Sequence, residues 1–362
     1  MFQDKEKVSG NQGLMLILAG GIGNIFVVLA VPAVQATGRD GWLPVLIAYI
    51  LATVVGLALL DLGRRFPNQT FVQYLPVILG KFWGKLAGLA YVIGWLLMAP
   101  LIVREIVELI RFFLPFTPTL IIIILMALLA IYAMSKGFEV YARTAELFVV
   151  IMILLIIVIL GLNFSNLTWK NLTPVLANGF GPVFKGLWIQ FPYAMETILF
   201  MALWLPCLNK RREGRRAVLL GMPLAGILLT VLVAVNIAFT GTALTSRLIF
   251  PIFYMSSYIY IGNFLTGMEA VFMALWMISS YLEIMIFCYP SVVGLAQWLN
   301  LKKYQPLILP LMVIIIVLTM VPSNVIELMK LDTLKNPVIL LPLSLLIPFT
   351  WIIAVIRKLD YS

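Results

Sequence analysis

Histidine is absent from this 362-residue sequence, and there are only two cysteines. Without histidine there is no Ser-His-Asp or Cys-His nucleophile, no HExxH zinc site and no histidine-ligated haem. Cys207 and Cys288 each fall inside an apolar segment, which is neither a disulfide framework nor metal-ligand spacing. The sequence therefore implies no catalytic residues, no metal and no cofactor. Charge is scarce too. Only 11% of residues are charged, where a soluble domain carries about 25%. With 63% of residues hydrophobic, the solvent for most of the surface has to be lipid. The net charge is +10, but the basic residues sit between apolar runs. They form no stripe or arm for nucleic acid and read as topology signals.

Long apolar runs are what the sequence has in quantity. A helix crosses the hydrocarbon core with about 20 apolar residues. On that measure ten spans are expected, near residues 9–36, 42–62, 84–110, 118–135, 142–163, 182–208, 217–240, 266–295, 305–321 and 337–356. The N-terminal MFQDKEK is mixed in charge and no small-residue cleavage site follows, so the first run reads as a retained helix. Ten spans put both termini on one side. Taking that side as cytoplasmic places 17 of the basic residues inside and 8 outside, as the positive-inside rule prefers. The N-x-T sequons at Asn68, Asn166 and Asn171 read as chance. No separate soluble domain fits: residues 1–362 read as one multi-pass transmembrane domain. An amphipathic Phe71–Leu79 piece is expected to lie along the inner interface, and 164–181 to form an outer loop.

Two spans carry signs of interruption. Val8 to Gly38 is uncharged over 31 residues and as one helix would reach about 46 Å, against a core of about 30 Å. In its middle stand Gly20, Gly21, Ile22, Gly23 and Asn24. Glycine disfavours a helix interior, so the backbone there either opens or packs tightly through small residues. In the sixth span, Phe191-Pro192-Tyr193-Ala194-Met195-Glu196 reads as a second break, with a simple proline kink as the plainer alternative. The two sites lie five spans apart. Interrupted helices at corresponding places in two halves point to an inverted-repeat transporter fold with its site at the midplane. The repeats would be 9–163 and 182–356.

An opened helix presents N–H groups to a carboxylate and C=O groups to an ammonium, so bare glycines can hold an amino acid without charged side chains. Other residues are expected at the same depth: Tyr91 and Trp95 one turn apart on span three, and Trp276, Ser279, Ser280 and Glu283 on one face of span eight. Each aromatic also fits ordinary packing, and membrane serines often bond only their own backbone. Glu196 and Glu283 sit amid long uncharged stretches, and an intramembrane acid is a functional candidate by default. Their expected role is coupling or gating, either by pinning the unwound segment or by carrying a proton. Arg143 and Glu146 have the spacing of a structural ion pair. So do Arg104, Glu105, Glu108 and Arg111, which read as paired or snorkelling groups near a span end.

Val8-Ser9-Gly10-Asn11-Gln12 ahead of the glycine-rich first span resembles the Ile-Ser-x-x-Gln opening of the spore germination permeases. Glu139-Val140-x-x-Arg143-x-x-Glu146 is similar to that family's entry to span five. Asn171-Leu172-Thr173-Pro174-Val175, with Gly179 and Pro182 after it, and Phe191-Pro192-x-x-x-Glu196 resemble its pattern into span six. The resemblance runs from residue 8 to about 216. It implies the B subunit of a GerA-type nutrient germinant receptor, within the amino acid–polyamine–organocation superfamily and the LeuT-like all-α fold. It also implies the spore inner membrane, an A subunit and a lipoprotein C subunit as partners, and a small amino acid or similar nutrient as ligand. By this resemblance Gly21, Ile22, Gly23, Tyr91, Trp95, Tyr193, Ala194, Ser279 and Ser280 line the pocket, with Gly20, Phe191 and Trp276 beside them. Glu283 departs from the family pattern, and an extra acid there would favour an amine or a polar side chain. The alternative expectation is a proton-coupled secondary transporter of amino acids or amines.

Overall fold

The computed structural model describes residues 7–23, 30–248, 250–261, 265–266 and 268–359. It is almost wholly helical. In chain order the helices are α1 (Gly10–Gly23), α2 (Ala30–Thr37), α3 (Trp42–Arg65), α4 (Phe71–Leu79), α5 (Lys81–Phe113), α6 (Thr119–Lys136) and α7 (Phe138–Leu162). There follow α8 (Gly181–Trp204), α9 (Arg211–Thr245), α10 (Pro251–Ser257), α11 (Glu269–Trp298), α12 (Gln305–Thr319), α13 (Val325–Lys335) and α14 (Leu341–Ile356). Two strands of two residues, Tyr260–Ile261 and Leu265–Thr266, pair antiparallel between α10 and α11.

Among the described residues, seven helices are long and apolar enough to cross a membrane: α3, α5, α6, α7, 212–245 of α9, 271–298 of α11, and the continuous 325–356 stretch. α12 is apolar but only 15 residues long. α8 has 24 residues and therefore reaches about 36 Å, with Lys185, Gln190, Glu196 and Thr197 diluting its apolar content. Large apolar side chains such as Val54, Leu125, Leu147, Ile157 and Val313 point outward. On a water-soluble chain so wide an apolar surface would be a liability; in lipid it is the solvated face.

Local chemistry sets the breaks between helices. Thr70 and Gln73 close a capping box on α4, reciprocally satisfying two N–H groups of its first turn. α4 stops at Gly80, whose φ of 86° lies where only glycine is unstrained. α4 then folds back on α5 so closely that a Cβ on Gly84 would stand 2.3 Å from the Pro76 Cα. A single residue, Gly137, turns the chain between α6 and α7. The start of α1 is tied to the other half of the molecule. Ser9 and Gln12 cap it, Val8 forms a parallel bridge with Leu208, and the Gly10 N–H donates to Glu213 at 2.8 Å.

Spans of the first half pack against those five places later: α3 on α9, α5 on α11, α6 on α12, and both α1 and α2 on α8. Four expectations need correction. Gly20–Gly23 form the helical last turn of α1, while Asn24 and the rest of 24–29 lie outside the described residues. α8 runs unbroken through Pro192. Proline costs one backbone bond there, and neighbouring helices make that tolerable in a membrane. The last span begins at Val325, not near Pro337. Asn336–Leu340 is a π-turn inside it, where Pro337 has no N–H to give and the Leu341 N–H reaches Asn336 instead. Finally, Arg143 pairs with Glu139 at 2.6 Å, not with Glu146. An acid four residues before its base has the better helical geometry.

Candidate functional site

The extra turns of α13 carry Asp332 and Lys335 into the interior. They are only 4% and 3% exposed, and Lys335 Nζ stands 2.5 Å from Asp332 Oδ1. The other Asp332 oxygen accepts from the Tyr193 hydroxyl on α8 at 3.2 Å. Tyr193 also bonds the Asn336 side chain in the π-turn, and Lys335 Nζ lies 5.7 Å from the centre of the Tyr193 ring. Glu105, from α5, lies against Asp332 and within electrostatic reach of Lys335 and Glu283. Glu196 on α8 and Glu283 on α11 act on each other and on Lys335. All three glutamates are buried. Three carboxyl groups, Glu105 from α5, Glu196 from α8 and Glu283 from α11, together with Asp332 from α13, thus lie within electrostatic reach of one ammonium group, that of Lys335. Burying charge is costly unless it is paired, so this cluster is the most expensive polar feature of the core.

The cluster borders open space. A cleft of about 620 Å³ lies between α2, α8 and the α13–α14 turn, lined by Pro32, Gln35, Trp188, Tyr193, Asp332, Thr333 and Asn336 among others. A smaller one of about 90 Å³ shares Pro32, Gln35, Asp332 and Thr333 and adds Glu105 and Glu108. The two therefore meet at Asp332.

The residues singled out from sequence divide into four groups. Gly23, Tyr193, Glu196 and Glu283 belong to the cluster: a Cβ on Gly23 would rest at 3.5 Å from the Glu283 side chain. Gly20 and Gly21 sit at helix interfaces. Their Cβ atoms would meet Thr197 Oγ1 at 2.8 Å and the Ala225 Cβ at 2.7 Å, and Ile22 is buried beside them. Tyr91 and Trp95 pack edge to face at 6.1 Å in a separate aromatic layer. There the Tyr91 hydroxyl donates to the Leu199 carbonyl and Trp95 meets Phe287 at 5.3 Å. Neither lines the cleft. Ala194, Trp276, Ser279 and Ser280 are buried and Phe191 half-buried. The Ser279 and Ser280 hydroxyls have no hydrogen-bond partner among the described residues.

Asp332, Lys335, Asn336 and the inward role of Glu105 were not anticipated. Arg104, Glu108 and Arg111 do pair with one another, while Glu105 lies against Asp332 instead. The signal available was Asp332-x-x-Lys335 at one-turn spacing, followed directly by Asn336-Pro337 and an apolar run.

A family model described as "Spore germination protein" matches residues 7–327. Spore germination protein KB of Bacillus subtilis (strain 168) is 30% identical over 98% of this chain and 96% of its own length. Spore germination protein YndE of the same organism is 25% identical, covering 90% of each chain. Spore germination protein XB of Bacillus anthracis is 22% identical over 84% of this chain and 86% of its own. Among solved structures, that of Mhp1, a nucleobase-cation-symport-1 family transporter in a closed conformation with bromovinylhydantoin bound, superposes with a TM-score of 0.62 at 12% identity. That match covers 90% of this chain and 74% of Mhp1. The helical bundle is thus that of a LeuT-like transporter, and the chain belongs to the spore germination protein family.

Proposed function

We propose that this chain is a nutrient-germinant receptor subunit that binds a small ligand in a permease-like pocket and, on binding, triggers spore germination. One observation carries the reading: in a member of the spore germination family, a buried polar cluster stands beside a cleft of about 620 Å³, within the usual range for small-molecule sites of about 300–1,000 Å³. The pocket extends from that cleft past Gly23 and along Tyr193–Ala194 and Ser279–Ser280, with Glu196 and Glu283 as the gating acids. The two five-helix halves, 9–163 and 182–356, are read as inverted repeats, supported by the packing of each of the first four spans on the one five places later. The receptor sits in the spore inner membrane with both termini cytoplasmic and works with an A subunit and a lipoprotein C subunit.

The test is genetic. Spores lacking the gene should fail to turn phase-dark with one nutrient and respond normally to others, and restoring the gene should restore the response. An unchanged response to every nutrient in the deletion strain refutes the reading. The transporter-like bundle favours a second reading, proton-coupled transport of amino acids or amines, which uptake into proteoliposomes under a proton gradient would reveal.

A further inference from the structure

We propose that the group recognised at Asp332 is the ammonium of an organic amine, supplied either by a free alkyl amine or by a basic amino acid. This deepens the receptor reading and rests on it. Beside the cleft, Asp332, Glu105, Glu196 and Glu283 lie within electrostatic reach of Lys335, which Asp332 holds one helical turn away at 2.5 Å; Asp332 itself lines the cleft and Glu105 the smaller one.

Two further observations point to a ligand. Asn336 is only 6% exposed and lines the cleft, yet its Oδ1 has no hydrogen-bond partner among the described residues. The same holds for Glu105 Oε1 on the adjoining smaller cleft. Both are acceptors awaiting a donor, and an ammonium carries three donors and no acceptor.

Aromatic faces complete the set. Tyr193 already holds Lys335 over its ring at 5.7 Å and Trp188, on the same helix, also lines the cleft, the environment in which cations are favoured. A carboxylate entering here meets Asp332, with Glu105 on the adjoining cleft, and a lysine that is already paired. A neutral sugar leaves the acid excess uncompensated.

The experiment uses the full-length protein in detergent and potassium phosphate, free of amine buffers. Thermal unfolding is followed against cadaverine, L-lysine, L-alanine, D-glucose and sodium chloride. Cadaverine or L-lysine should raise the melting temperature saturably, and which of the two does so separates a free amine from a basic amino acid. The double variant Asp332→Asn/Lys335→Met, which neutralises both partners, should weaken the amine response at least about tenfold. If that variant fails to fold, Asn336→Leu gives the same reading. Absence of a shift with both amines overturns the proposal, as does a shift confined to sodium, or an amine response that survives in the variants. A shift with L-alanine or D-glucose alone also overturns it while leaving the receptor reading standing, and that reading is judged separately by the germination of the deletion strain.

Discussion

Lys335 and Asp332 illustrate how differently a buried ion pair responds to losing one partner or both. Lys335→Met strands Asp332 beside Glu105, and removing one member of a buried pair costs about 3–5 kcal/mol. Adding Asp332→Asn should recover most of that, because two neutral side chains of similar size need no counter-ion. Equilibrium unfolding in mixed detergent would check both values. The first-span glycines make a second contrast. At Gly21 a methyl would lie 2.7 Å from the Ala225 Cβ, but at Gly23 it would find Glu283 at an ordinary 3.5 Å. Gly21→Ala should therefore cost about 1–3 kcal/mol through overpacking, and Gly23→Ala within about 0.5 kcal/mol. Equal losses in the same unfolding measurement would contradict this division. A bulkier side chain at Gly21 would enter the α1–α9 interface, so lost ligand binding in Gly21→Leu would report lost packing first.

At the scale of the element, the beginning of α1 depends on contacts made about two hundred residues away. Glu213 accepts from the Gly10 N–H, and the Cys207 carbonyl from the Val8 N–H at 2.9 Å. Glu213→Ala should cost about 1 kcal/mol, as for a lost helix cap, and should raise amide exchange at residues 8–12 without changing exchange in α5 or α11. Elements like this decide what could be read in advance. Apolar length located most spans, and the α4 segment coincides with its expected Phe71–Leu79 bounds, because hydropathy and capping chemistry are local. Pro192 misled, since a proline signals a missing N–H but does not say whether neighbouring helices hold the turn together. The Asp332–Lys335 turn was invisible for the opposite reason: its charges resemble a water-exposed loop until packing of α13 against α5 and α8 sets their depth. The site was legible where it rests on lone acids in long apolar runs, as at Glu196 and Glu283, and illegible where it depends on depth.

At the scale of the whole molecule, sidedness is the property the basic residues bear on. Cys207 is half-buried at the end of α8 and Cys288 buried within α11. With the termini cytoplasmic, a membrane-impermeant maleimide should leave sealed, right-side-out vesicles unlabelled and should modify Cys207 only after the inner face is opened. Cys288 should stay unmodified in the folded protein throughout. Labelling of Cys207 from outside would invert the assignment. The Val8–Leu208 bridge also bears on how the protein is made. Its second strand is the loop after the sixth span, so the first helix emerges from the ribosome with its anchor unwritten. At about 5–20 residues per second, the nascent chain must wait roughly ten to forty seconds before α1 can be locked in place. During that interval the insertion machinery, and not the finished protein, has to shelter it.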